Sequence, residues 1–222
     1  MAPLTFHTAP GIPNPDVVHM YAEERGCQSM LADVVVNVGT GENRSPEFLK
    51  INPLGEVPAL ILPSGQALTE SIAIVKYLDD AQGWSPLVGT TAEERALVDM
   101  WLLRCEQKVL EPIGCAFRNG PMAAFFKDRR PGYIHPEHAA GMRVAGATGL
   151  KWLDGMLADG RQYLCGDRFT LADIRFYCLY SFYTKMDKVQ KAPDSLSHFN
   201  AYMDRIKARP SASAIVPKKS KL

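Results

Sequence analysis

Short apolar runs separated by turn residues fill the first eighty positions of the chain, and helical periodicity takes over from about residue 91. Leu4 to His7 predicts a short strand, and the breaker-rich Pro10-Gly11-Ile12-Pro13-Asn14-Pro15 after it must turn. Asp16 or Asn14 can then cap a helix whose apolar positions Val17, Val18, Tyr21 and Ala22 recur at helical spacing, with Gly26 as its stop. The β-branched run Val34-Val35-Val36 predicts a second strand, closing a βαβ unit, and Gly39 to Pro46 reads as a polar loop. Turn chemistry in Asn52-Pro53-Leu54-Gly55-Glu56 leads directly into the apolar stretch Val57 to Leu62. Pro58 has no N–H for a ladder, so it belongs at a strand's first residue or in a turn, where a cis bond is possible. Pro63-Ser64-Gly65 reverses the chain into Ala67-Leu68 as a hairpin. Thr69-Glu70-Ser71 then precedes a helix with Ile72, Ile74, Val75 and Leu78 on its apolar face.

Residues 81–90 carry Gly, Pro, Ser and Thr without periodicity and read as a linker. Beyond them every signal is helical. Thr91 and Glu94 form a capping box before Leu97, Met100, Trp101 and Cys105, and a second long helix is predicted over Pro136 to Asp159, after a loop from Asn119 to Gly132. Thr170-Leu171-Ala172-Asp173 is the clearest start signal: the threonine can bond the amide three residues on, the acid reaches back, and Leu171, Ile174 and Cys178 make the buried stripe. A last helix runs from Asp194 to Arg209 and stops at Pro210. The predicted fold class is α/β plus all-α: a βαβ-ββα domain over 1–80, a linker over 81–90 and an all-helical domain over 91–222.

Composition narrows the function. At 222 residues, 46% hydrophobic and 22% charged, the chain is a folding one of ordinary globular make-up, which excludes disordered, collagen-like and coiled-coil readings. A formal net charge of +1 supplies no field for wrapping nucleic acid, so nucleic acid is not an expected partner. The five cysteines are scattered, with no CxxC, which argues against a disulfide framework or zinc site and suits a reducing compartment; buried, inert thiols are expected. His135, Glu137 and His138 lack a metal-binding spacing and a third ligand, so they read as a helix start and no metal is expected. No run approaches the roughly 18 apolar residues of a membrane span, and the first ten residues carry no leader pattern, so a soluble, non-secreted protein is expected. The last three residues, Ser220-Lys221-Leu222, spell the address read by the peroxisomal import receptor, which predicts a peroxisomal protein in a eukaryote and a cytoplasmic one otherwise.

The stretch SPEFLKINPLGEVPALIL from Ser45, the stretch LTESIAIVKYLDD from Leu68 and the capping-box segment YLCGDRFTLADI from Tyr163 resemble the corresponding segments of the cytosolic glutathione transferases, in the same order, across Leu4 to Pro210. That resemblance implies a thioredoxin-like glutathione-binding first domain, an electrophile site on the helical domain and a homodimer. It also implies glutathione as cosubstrate, without metal, used for conjugation to a small electrophile, peroxide reduction or disulfide exchange. Onto this chain it carries Ser71 and the first-turn amides as partners of the α-carboxylate, Glu70 as partner of the ammonium, and Val57, held before Pro58, as the backbone that pairs with the tripeptide. Asn43 and Arg44 resemble the polar and basic pair that phi-class members direct at the glycine carboxylate; Glu56 stands where many members have Gln or Lys.

The catalytic position departs from the family. Members place a Tyr, Ser or Cys after the first strand, whereas Ile12 occupies the position of the theta-like serine. Asn14 follows Pro13 as in the Thr-Pro-Asn segment of the nu class, which makes it the candidate thiolate donor; an Asx-turn or helix cap is its other reading. With no cysteine in this loop, a mixed disulfide on the protein is not expected. Arg104, Lys108 and Glu111 form a stripe that either borders the electrophile site, as in the family, or is a solvated face; Met100, Trp101 and Phe117 read as core. Two alternatives stay open: a noncatalytic binding protein of the same fold, which Ile12 favours, and a glutathione-dependent isomerase, lyase or dehalogenase.

Overall fold

The computed structural model describes residues 2–187 and 190–215. The Ser220-Lys221-Leu222 terminus lies outside the described residues. The described residues form two compact units, the first from residues 2–90 together with 209–215, the second within Thr91–Ala208.

In the first unit, strand β1 (Leu4–Thr8) leads into helix α1 (Pro13–Arg25) and strand β2 (Leu31–Val35), which pairs parallel with β1. Gly26 ends α1 in the left-handed region at φ 72°, where a residue without Cβ is favoured. Helix α2 (Pro46–Ile51) follows, between the predicted loop and the Asn52 turn, where the pattern predicts no element; Ser45 caps it by accepting the Phe48 N–H at 3.2 Å, and Pro46 fits its first turn. Strands β3 (Ala59–Ile61) and β4 (Ala67–Thr69) make the expected hairpin, and helix α3 (Ser71–Asp80) completes a sheet of order β2-β1-β3-β4. Alternation along β1 sends Leu4, Phe6 and Thr8 to one buried side, while His7 meets the Phe48 ring of α2 edge-on at 5.9 Å on the other.

The buried Asp79 carboxylate of α3 accepts the Tyr21 hydroxyl at 2.7 Å, the Ser85 N–H at 2.9 Å and the Ser85 hydroxyl at 2.5 Å. Residues 81–90, expected as a linker, are therefore fastened to the first unit. The chain also returns: helix α10 (Pro210–Ala214) packs on α1, and Arg209 donates to both Glu24 oxygens at 2.7 and 2.6 Å, with the Ser211 hydroxyl at 2.5 Å. Burial pushes the Glu24 carboxyl up, but these bonds more than offset it and hold it below its ordinary range. Residues 209–215, expected as part of the helical domain, group with the first unit, and this ion pair binds Arg209 to α1.

In the second unit, helix α4 (Ala92–Cys105) opens on the predicted Thr91–Glu94 capping box. It continues through a π-helical turn (Glu106–Leu110) into α5 (Glu111–Asn119). Pro112 has no N–H for the Lys108 carbonyl one turn back, and a π-turn is how a helix absorbs such a break without ending. A short α6 (Ala123–Phe126) interrupts the predicted loop. Then come α7 (Ala139–Leu157), α8 (Leu171–Met186) and α9 (Ser197–Lys207), the last shorter at both ends than its pattern suggested because Phe199 N–H is capped by Asp154 at 2.8 Å and Pro210 begins α10. Gly149 of α7 lies against the Lys108 carbonyl so closely that a Cβ there would sit 1.9 Å from its oxygen. Asp173 is fully buried and accepts from Leu164 N, Thr170 N, Thr170 Oγ1 and Tyr202 Oη at 2.8–3.0 Å. Cys27, Cys105 and Cys178 are buried as expected, but Cys115 and Cys165 are only half-buried.

Candidate functional site

The predicted binding residues all fall on the first unit and converge where β3 begins. The Val57–Pro58 bond is cis, and β3 starts one residue later, at Ala59. Proline thereby takes the place just outside the ladder, as its missing N–H requires. Among the described residues, the Val57 N–H and C=O make no backbone hydrogen bond. Ala59 pairs with Thr69, so continuing the register sets Pro58 opposite Glu70 and Val57 opposite Ser71. Ser71 is buried and opens α3, whose first-turn amides supply the positive end of the helix dipole. Glu70 is exposed at φ 66°, ψ 115°, the left-handed half of the map that an L-residue other than Gly or Asn seldom adopts. It is the one non-glycine with positive φ among the described residues. Backbone strain of this kind, of order 1–3 kcal/mol, persists where surrounding structure enforces it and clusters at ligand clamps.

Asn43 and Arg44 act on the loop ahead of Val57. The buried Asn43 amide donates to the Gly55 carbonyl at 2.6 Å, and Arg44 Nη1 donates to the Leu54 carbonyl at 2.9 Å. Gly55 has φ 60°, and a Cβ on it would lie 2.8 Å from both Arg44 Nη1 and the Asn43 carbonyl oxygen, so glycine is required on both counts. Asn52 braces the same loop, donating to the Glu56 carbonyl at 2.7 Å and accepting the Leu54 N–H at 3.1 Å. Glu56 enters this network through its backbone, and its side chain is half-buried. The pair expected at a carboxylate is seen to fix the approach of the loop to Val57, with Asn43 Oδ1 and Arg44 Nε unpartnered among the described residues.

The turn after β1 differs from its sequence reading. Helix α1 begins at Pro13, its cap residue is Ile12, and no side chain caps it; Asn14 is half-buried within the first turn. Asp16 reaches back instead, accepting the Gly11 N–H at 3.2 Å. Ile12 packs on a cluster of Ala9, Val36, Phe48 and Val57. A hydrocarbon wall thus stands beside Val57 at the position where a hydroxyl was sought. Thr8, the neighbouring hydroxyl, is buried and meets His19 Nε2 at 3.0 Å. Burial lowers the His19 pKa, against the opposing pull of Asp33.

Known proteins match the chain over both units. Residues 13–81 match the family described as Glutathione S-transferase, N-terminal domain, and residues 136–205 that described as Glutathione S-transferase, C-terminal domain. Glutathione S-transferase 3 of Zea mays is 30% identical over 95% of this chain and 92% of its own. The chain belongs to the glutathione S-transferase family. Glutathione S-transferase 2 of Saccharomyces cerevisiae is 28% identical over 98% of this chain and 91% of its own. The crystal structure of Gtt2 from the same yeast superposes with a TM-score of 0.83 at 27% identity, covering 96% of this chain and 100% of that one. Probable elongation factor 1-gamma 1 of Arabidopsis thaliana is also similar, 29% identical over 96% of this chain but only 49% of its own length. The fold is that of a glutathione S-transferase, a thioredoxin-like sheet domain followed by a helical domain.

On the helical unit of this family member, the Arg104, Lys108 and Glu111 stripe is exposed. Arg104 lies over the Trp101 ring at 5.6 Å, and Glu111 pairs with Arg118 at 2.8 Å. Trp101 and Phe117 are core as read, while Met100 is half-buried. Sequence reasoning missed Asn52 and Gly55 as the struts of the loop ahead of Val57; the Asn-Pro-Leu-Gly turn signal was their trace. Nothing in the sequence signalled positive φ at Glu70, since glutamate carries no preference for it.

Proposed function

We propose that this glutathione S-transferase relative binds glutathione on its first unit and uses the bound thiolate for conjugation to a small electrophile, peroxide reduction or disulfide exchange. The observation that carries the reading is the unpaired backbone of Val57, set by register opposite the Glu70–Ser71 turn. An extended tripeptide adds to such an edge as a further strand. Its α-carboxylate then takes the Ser71 hydroxyl and first-turn amides of α3, its ammonium takes Glu70, and its glycine carboxylate meets the Asn43, Arg44 and Glu56 loop. Pro58 keeps Val57 outside the ladder so that its amide stays available. Asn14 and the opening amides of α1 are the donors offered to the sulfur. An amide N–H cannot accept the thiol proton, so it favours the thiolate only by bonding the charged form, and a modest lowering of the thiol pKa follows. No metal takes part in this scheme. A homodimer and peroxisomal import through the Ser220-Lys221-Leu222 terminus belong to the same proposal. The import is tested by a fluorescent fusion that should form puncta in a eukaryotic cell and lose them on deletion of Leu222.

A noncatalytic glutathione-binding role is the second reading, favoured by Ile12, which puts hydrocarbon where the family places its donor. Titration calorimetry with glutathione, followed by turnover assays on peroxides, disulfides and aromatic halides, separates the two. Ser71→Ala should weaken binding by about 1–3 kcal/mol, the value of a charge-assisted bond left unmade, and Arg44→Ala should weaken it as well. Unchanged affinity in both variants would refute the site, and wild-type binding without turnover would select the second reading.

A further inference from the structure

Starting from the glutathione reading above, on which this step rests, we infer that His19 and Thr8 are positioning residues of that site: their bond ties α1 to the end of β1 and so sets where the opening of the helix meets the sulfur. Leu4, Phe6 and Thr8 share one side of β1, and Phe6 stands in parallel register with Asp33 of β2. His19 of α1 lies over that side. Its ring meets Phe6 edge-on at 5.3 Å, and its Nε2 stands 3.0 Å from Thr8 Oγ1 and 3.7 Å from Asp33 Oδ2. A carboxylate accepts and cannot donate, so Asp33 favours the tautomer with its proton on Nε2, and that N–H donates to the Thr8 hydroxyl. Thr8 is fully buried, so its hydroxyl meets no ligand and acts through His19.

The turn between the two residues is joined to the helix by bonds of its own. Gly11 N–H donates to Asp16 Oδ1 at 3.2 Å, Ile12 N–H to the Ala9 carbonyl at 3.1 Å and Asp16 N–H to the Ile12 carbonyl at 3.1 Å. Turn and first helical turn therefore move as one piece. These bonds hold the turn to the helix, whereas the His19–Thr8 bond holds the helix to the strand. Ala9 and Ile12 pack with Val57, which brings that piece beside the backbone given to the tripeptide. His19 follows Asn14 by about 7.5 Å of helix rise. A displacement of about 1 Å at the helix opening takes a hydrogen bond of about 3 Å out of range, so the register of α1 on β1 decides how well the sulfur is served. Burial holds the His19 pKa below the ordinary histidine range against the pull of Asp33, so the ring is neutral where a thiol ionises and works by position and not by charge.

The test is ultraviolet titration of the bound glutathione thiolate in the full chain, with glutathione affinity by calorimetry and unfolding in urea measured on the same proteins. Thr8→Val removes the acceptor and His19→Leu the donor. Each should raise the midpoint of the thiolate titration by about one pH unit, the shift expected when a bond to a charged group is misaligned, while glutathione affinity stays within about twofold. The double variant should shift it no further than either single one, because the same bond is lost once. His19→Gln, a neutral side chain whose amide reaches the same point, should keep the wild-type midpoint. Tyr21→Phe breaks another buried bond of α1, to Asp79 at 2.7 Å, and should lower stability without moving the midpoint. An unmoved midpoint in Thr8→Val and His19→Leu with glutathione still bound would overturn the positioning role and leave the glutathione reading standing. So would an equal shift in Tyr21→Phe, which traces the effect to general loosening of α1, or a His19→Gln midpoint displaced as far as that of His19→Leu. A wild type that binds no glutathione would overturn both. Should His19→Leu fail to fold, Thr8→Val and His19→Gln decide the matter.

Discussion

Replacing Gly149 by alanine tests how α7 is seated on the π-turn. A Cβ at 149 would stand 1.9 Å from the Lys108 carbonyl oxygen, 2.8 Å from its carbon and 3.2 Å from Val109 Cγ2. Real Cβ atoms essentially never approach within 3.0 Å, so a retreat of at least 3.0 − 1.9 = 1.1 Å is forced, and the obstacle is backbone that cannot swing aside. A gap of 0.5–1 Å forfeits about a quarter to a half of each dispersion contact across the interface, and overpacking of this kind costs about 1–3 kcal/mol, occasionally more. Alanine returns up to about 1 kcal/mol through its helix propensity. Since the obstacle is backbone, the upper part of that cost applies, and the net expectation for Gly149→Ala is a loss of about 1–2 kcal/mol, or a Tm lower by about 2–8 °C in a chain of this length. Gly155 lies on the same helix with nothing within 4 Å of its would-be Cβ, so Gly155→Ala should gain up to about 1 kcal/mol by propensity alone. Urea and thermal unfolding followed by circular dichroism measure both. A Gly149→Ala variant within about 0.5 kcal/mol of the wild type, or equal losses in the two variants, would show that the close approach does not govern stability.

Three further outcomes follow from the geometry. Glu70→Gly should release left-handed strain of about 1–3 kcal/mol against a glycine entropy cost of about 0.5–1 kcal/mol, giving a protein that is more stable in urea yet binds glutathione more weakly; tighter binding would contradict the role given to Glu70. Burial pushes the Asp173 carboxyl up to about 6 in spite of its four hydrogen bonds. The folded state therefore holds this proton more tightly than the unfolded chain, so the contribution is full below about pH 4 and is lost as pH rises through about 6; the shift of roughly two units amounts to about 3 kcal/mol, which wild-type unfolding should show between pH 4 and 7 and Asp173→Asn should lack. Asn14→Ala should move the ultraviolet absorbance of bound glutathione thiolate to higher pH and lower peroxide or disulfide turnover without unfolding the protein; an unchanged titration would leave Asn14 only its place in the first turn.

Much of this fold is written in local signals. The cis proline at the mouth of β3, the Gly26 stop and the two threonine capping boxes each act within four residues, and each stands in the structure where its pattern put it. What escaped depends on distance along the chain. Residues 81–90 look like a linker because nothing nearby reveals that Ser85 will meet a buried Asp79, and the tail looks like part of the helical domain because its partner Glu24 is 185 positions away. The candidate site divides the same way. Ser71 and Val57 were legible from their neighbours, whereas the service of Asn43 and Arg44 to Leu54 and Gly55 needed the loop's closure to be seen, as did the burial of Ile12 against Val57.

The Glu24–Arg209 pair makes the second unit an insertion within the first, and that ordering matters during vectorial synthesis. The sheet and α1 emerge early, but the residues that cover the Glu24 end of α1 are made only after the whole of 91–208. The first unit therefore waits, with a partly desolvated carboxylate lacking its cation, until Arg209 has been made. Division of the gene at residue 90 would preserve that unfinished state, since no continuous fragment contains the complete first unit. An excised 91–208 segment keeps all of its own contacts, whereas the sheet unit can be isolated intact only by rejoining 1–90 to the segment that begins at Arg209.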